Sequence, residues 1–250
     1  MEKLEKFFDY QFGVLLRFEK SGRIRVATTN GFVLLAKTIQ SEFPEWLIGK
    51  TFGTGHGLLT EDLSKIPFTI TEAESKETAL MLENGHTYTL HQTYLRLGWY
   101  FTKPVLGSFR LPDGFWDDDF IQTAIYDVED EEEKLIVFDL QRSEIAFLKL
   151  VEVEVKENGA EVSEYSIVKR FAMEGNRTRK RAIFYYASNF LKISQAIKPQ
   201  TISFVDLQGE DTFAAKLEEG EYTGLISPLM GMEKQWLNNT ETDRFCFVLS

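Results

Sequence analysis

The 250-residue chain contains a single cysteine, Cys246, which excludes a disulfide framework and any cysteine-based zinc site. Lying in a C-terminal hydrophobic run, Cys246 is expected to be a small buried apolar residue. Histidine is almost as scarce, with His56, His86 and His91 the only three. Nucleophilic and histidine-metal chemistry therefore have few participants. His86 and His91 fall on opposite faces of a strand-prone run, which argues against a shared metal. His56 sits in Gly53-Thr54-Gly55-His56-Gly57, a glycine-rich turn. It has neither the GK[ST] of a phosphate loop nor a GxGxxG after a strand, and no cofactor is expected. No stretch approaches the ~18 apolar residues of a membrane span, and residues 1–13 lack a signal-like apolar core. A cytosolic protein is expected.

Basic residues are missing where their absence has most effect. Residues 113–133 hold ten carboxylates and no lysine or arginine: Asp113, Asp117, Asp118, Asp119, Asp127, Glu129, Asp130, Glu131, Glu132 and Glu133. The remaining sequence carries 28 basic against 29 acidic residues, so nearly all of the net charge of −11 lies in this one stretch. Segment 169–181 has the opposite sign, with Lys169, Arg170, Arg177, Arg179, Lys180 and Arg181 against Glu174 alone. Such separation governs where charged partners dock, while the fold is set by other means. The overall acidity argues against sequence-blind affinity for nucleic acid or membrane.

What is present in quantity is apolar: 43% of residues are hydrophobic, and 21 are phenylalanine, in an otherwise ordinary globular composition. Residues 1–9 read as a short amphipathic helix. Residues 12–18 and 23–28 read as strands joined at Gly22, and residues 32–43 have helical spacing between Asn30 and Pro44. Residues 77–83 predict a short helix and 86–102 a strand-prone run. Three strand runs, 134–140, 144–156 and 162–172, predict an antiparallel meander, with Asn158-Gly159 as a hairpin signal. Within the middle run Ile145, Phe147, Val151, Val153 and Val155 are expected to share one face. Ile183, Tyr186, Phe190, Ile193 and Ile197 recur at steps of three and four, predicting an amphipathic helix over 177–198 that packs on the meander. A strand at 201–206, a helix at 211–218 and a strand at 243–249 follow. Pro104, Gly107 and Pro112 mark a boundary between residues 1–105 and 106–250, unless the two form one continuous domain. The expected class is α+β with a mainly antiparallel sheet.

Two resemblances accompany this reading. The strand–strand–helix opening, with its GRI and WLIGKTF phrases, resembles a PAS-type sensor over less than a quarter of the chain. Asp139 on one strand, with Glu152, Glu154 and Lys156 alternating on the next, resembles the D…ExK pattern of PD-(D/E)XK nucleases. That resemblance implies a metal held by Asp139 and Glu154 and a water assisted by Lys156, whereas a solvated strand face also shows alternating charge.

Residues 169–181 give the other candidate site. With Asn176 as cap, Arg177, Arg179, Lys180 and Arg181 crowd a helix start, opposing its dipole and attracting an anion. Lys169 and Arg170 add to that field. The expected function is a non-catalytic binding protein that engages a charged macromolecule or phosphate-bearing ligand, with head-to-tail acid–base self-association as a further option. Bacterial and phage regulatory, defence and immunity proteins have this profile of charge without catalytic groups. The alternative is the metal-dependent nuclease.

Overall fold

The computed structural model describes residues 14–29, 31–54, 68–72, 78–82, 87–93, 97–126, 134–156, 161–175, 181–206, 213–238 and 244–249. They fall into two compact units, Met1–Pro104 with Glu218–Leu225 and Val105–Leu217 with Ile226–Ser250. Antiparallel sheet dominates both, and the longest α-helix among the described residues has 10 residues. The fold is therefore mostly β, which corrects the α+β expectation.

In the first unit the strands are β1 (Leu15–Glu19), β2 (Arg23–Thr29), β3 (Val33–Gln40), β4 (Thr51–Gly53), β5 (Phe68–Glu72), β6 (Thr78–Leu82) and β7 (Thr87–Gln92). A short helix α1 (Leu97–Thr102) follows, and the chain later returns as β16 (Tyr222–Ile226). Their order across the sheet is β16-β3-β2-β1-β4-β7-β6-β5. The β1–β2 turn places Ser21 and Gly22 at φ 62° and 68°, the left-handed region that Gly22 enters without steric cost.

Residues 32–43 are not the expected helix. Val33, Leu34, Leu35 and Ala36 are all buried, and β3 pairs with β2 at seven positions. A strand buried on both faces has a continuous apolar run, and such a run also satisfies helical spacing. The PAS-like rhythm thus gives way to three successive strands. β6 likewise replaces the helix expected at 77–83, held between β5 and β7. The helix expected at 1–9 and His56 and His86 lie outside the described residues.

The second unit begins with β8 (Val105–Arg110), a 3-10 turn at Phe115–Asp117 and α2 (Asp119–Tyr126). Next come β9 (Lys134–Asp139), β10 (Glu144–Val155), β11 (Glu161–Ala172), β12 (Glu174–Gly175) and β13 (Ala182–Tyr186). The chain continues through α3 (Ala187–Ala196), β14 (Thr201–Asp206), β15 (Phe213–Glu219), α4 (Glu233–Asn238) and β17 (Arg244–Leu249). One sheet has the order β12-β8-β14-β15 and the other β13-β9-β10-β11-β17.

The stripe expected to form one helix over 177–198 divides between two elements. Ile183 lies in β13, which pairs with β9 from Ala182 to Tyr186, and α3 starts only at Ala187. Ile197 caps the helix with extended backbone. Residues 182–185 are buried as a strand must be when sheet and helix cover both its faces. Phe190 of α3 is fully buried, its ring 5.5 Å from Phe138 and stacked on Trp116 at 5.8 Å. The helix expected at 211–218 is β15, and Cys246, expected to be buried, is exposed.

Candidate functional site

Asp139 ends β9 and is fully buried. Its carboxylate accepts four hydrogen bonds, which satisfies it. Gln141 N (3.0 Å) and Arg142 N (2.9 Å) donate to Oδ1, while Arg142 Nη1 (2.6 Å) and Trp236 Nε1 (2.8 Å) donate to Oδ2. A carboxylate so engaged holds the β9–β10 turn against α4 and has little capacity left for a metal. The β-ladder sets Asp139 opposite Glu144, whereas Glu154 lies at the far end of β10. Their separation along the strand is on the order of 30 Å at ~3.3 Å per residue. Asp139 therefore does not come together with Glu152, Glu154 and Lys156. Among the described residues no group of three potential metal ligands converges.

Of the basic stretch, Lys169, Arg170 and Arg181 are described, while Arg177, Arg179 and Lys180 lie outside the described residues. Each of the three holds a carboxylate: Lys169 with Asp118 at 3.3 Å, Arg170 with Glu144 at 2.6 Å and Arg181 with Glu233 at 2.8 Å. Lys169 also lies over the ring of Phe171, and Arg181 over that of Phe213. The partners come from distant parts of the sequence, so spacing alone gave no sign of them.

Among the described residues of the second unit, the distal half of β10 is an unbroken exposed run, from Val151 to Lys156. Along Glu144–Lys149 the strand is flanked by β9 on one side and β11 on the other. From Leu150 to Val155 only β11 accompanies it among the described strands. Val151, Val153 and Val155 are 48%, 47% and 64% exposed. The ladder shifts register between Leu150 and Glu152, which makes Val151 a bulge. Beyond the bulge alternation changes sides. Val153 and Val155 continue the face of Leu148 and Leu150, whereas Glu152 and Glu154 continue that of Phe147 and Lys149. The single face expected for Ile145, Phe147, Val151, Val153 and Val155 is thus broken. The apolar doublet Leu150-Val151, which interrupts strict alternation, is the sequence signal for that break.

A cavity of about 160 Å³ opens where β9 begins, lined by Phe120 of α2, Phe147 and Leu148 of β10, Val168 of β11 and Leu191 of α3. Lys134 and Lys149, paired across the ladder, also line it. The walls are apolar and the cations are adjacent, an arrangement that can take a side chain of leucine or phenylalanine size.

No family model and no curated protein sequence matches this chain. Solved structures do. The Helicobacter pylori β clamp bound to a DNA ligase peptide is 12% identical, with a TM-score of 0.55 over 92% of this chain and 63% of that one. A putative DNA polymerase III β subunit from Eubacterium rectale is 14% identical, with a TM-score of 0.54 over 90% and 59%. The DNA polymerase sliding clamp of Bacillus subtilis is 9% identical, with a TM-score of 0.53 over 92% and 61%. The chain spans about three fifths of each, and what it shares with them is the fold of DNA polymerase sliding clamps.

Proposed function

We propose that the chain is a non-catalytic binding platform of the sliding-clamp kind, engaging DNA and segments of partner proteins. The observation that carries this reading is the shared fold over nine tenths of the chain with polymerase clamps, one of which holds a DNA ligase peptide. The separation of Asp139 from Glu154 and the saturation of the Asp139 carboxylate favour it over metal-dependent nuclease chemistry.

With a net charge of −11, contact with a phosphate backbone must be local. Lys169, Arg170, Arg177, Arg179, Lys180 and Arg181 are the residues proposed to supply it. An anion entering there competes with Asp118, Glu144 and Glu233 for the three described cations. Self-association through acid–base contacts belongs to the same proposal. It would weaken as the Debye length falls from about 10 Å at 0.1 M salt to about 3 Å at 1 M.

The test uses fluorescence anisotropy of the full chain with a labelled primed duplex and, separately, a labelled DNA ligase peptide. Binding of either, with no cleavage of DNA in Mg²⁺ or Mn²⁺, supports the platform. Failure to bind both overturns it, and metal-dependent cleavage abolished by Glu154→Ala establishes the nuclease instead.

A further inference from the structure

We infer that the edge of β10 at residues 150–155, which no described strand covers on the side away from β11, receives, by strand addition, an extended protein segment in which basic and apolar residues alternate. β10 is a 12-residue strand, and β9 covers only its first six positions, Glu144–Lys149. The remaining six expose one row of backbone N–H and C=O groups to no described partner, over roughly 20 Å at ~3.3 Å per residue. An edge of this kind is a ready template for another strand unless lysine, proline, a bulge or a covering loop blunts it, and the bulge at Val151 leaves Glu152–Val155 in regular register with β11. This stretch contains neither lysine nor proline.

Side-chain chemistry selects the occupant. Glu152 stands opposite Glu164 on β11, a like-charge cross-strand pair that opposes the sheet. Glu164 is relieved by Arg244 at 3.1 Å, whereas Glu152 and Glu154 have no ion-pair partner among the described residues. Lysine or arginine at every second position of an added strand would stand beside these two carboxylates. The intervening residues would then cover Val153 and Val155 on the other face. This is recognition by main-chain hydrogen bonds with alternate side chains setting the specificity.

The same charges exclude other occupants. A second copy paired antiparallel about Val153 would bring Glu152 of one chain against Glu154 of the other. A nucleic-acid backbone meets carboxylates of its own sign. At the other end of the edge, exposed Lys149 repels a basic residue set beside it, so the register of the added strand is bounded at Leu150. The inference does not depend on the clamp reading, and the edge can bind such a segment whether or not the chain engages DNA.

The test takes three synthetic peptides: one of alternating lysine and valine, one of the same composition in two blocks, and the alternating peptide N-methylated at every second amide. Binding is read by anisotropy, and hydrogen exchange of those 150–155 amides that point away from β11 reports the location. The alternating peptide should bind at least tenfold more tightly than either control and slow exchange at these amides. Glu152→Lys with Glu154→Lys, both at exposed positions, should reverse the preference toward an alternating glutamate–valine peptide. Equal affinity for the block peptide would mean unspecific charge attraction and overturn the inference. Protection of these outward amides in the free protein, or protection elsewhere on adding peptide, would overturn it too.

Discussion

The two halves of β10 form a single strand with similar composition and opposite fates. Ile145, Ala146, Phe147 and Leu148 are buried, while every residue from Val151 to Val155 is exposed. Valine is no less apolar than isoleucine, so side-chain hydrophobicity does not account for the contrast. What differs is neighbours. The proximal half lies between β9 and β11, with Phe120 of α2 packed on Phe147, whereas the distal half outruns the described part of β9. Burial here is a property of the position in the sheet, and the bulge at Val151 marks where one regime passes into the other.

The sharpest way to break this comparison is to truncate an aromatic in the covered half. Phe147 packs edge-on against Phe120 at 5.3 Å and Phe171 at 6.1 Å. Phe147→Ala is expected to cost about 3–5 kcal/mol in chemical denaturation, the usual range for a core aromatic. A loss below about 1 kcal/mol would mean that the proximal half is no better packed than the distal one. Asp139→Ala, at the turn leading into the same half, removes the acceptor for Trp236 Nε1 and three further donors. A cost of about 3 kcal/mol is expected, because a buried indole N–H is stranded and Arg142 loses its counter-charge.

Tyr185 on β13 sharpens the contrast through pH. Burial pushes its phenol well above the ordinary value of 10.0, and its hydroxyl donates to the Phe213 carbonyl at 2.9 Å. Tyr185→Phe should cost roughly 1 kcal/mol at neutral pH. A raised folded pKa contributes stability that is present below the unfolded value and lost as pH rises above it. Wild-type stability should therefore fall faster than that of the variant above about pH 10. Parallel pH profiles would show that Tyr185 is not in a desolvated site. The smallest effect belongs to the distal half, where Val153→Thr should change the unfolding free energy by less than about 0.5 kcal/mol. A larger loss would mean that this edge is already covered.

Legibility followed the same division. Where a strand has one wet face, as in β11, alternation shows in the sequence. Where both faces are covered, as in β3 and β13, the apolar run satisfies helical spacing equally well, and periodicity alone does not separate strand from helix. The site suffered from distance in sequence. Asp139 reads as a metal ligand beside Glu154 until Trp236, 97 residues away, is seen to donate to it. Likewise, the cations of 169–181 looked unopposed because Asp118, Glu144 and Glu233 reach them only through the fold.

That 97-residue span between Asp139 and Trp236 also bears on how long the native state lasts. A contact closing so long a loop costs chain entropy before it yields anything, so it is expected to form after the local β9–β10 pairing. Interactions absent from the folding transition state act almost wholly on the unfolding rate. Trp236→Phe, which keeps the ring and removes the N–H donor, should therefore leave the refolding arm of the chevron unchanged and raise the unfolding arm. The Asp139–Trp236 bond would then work as a latch, set late in folding and governing how slowly α4 is released.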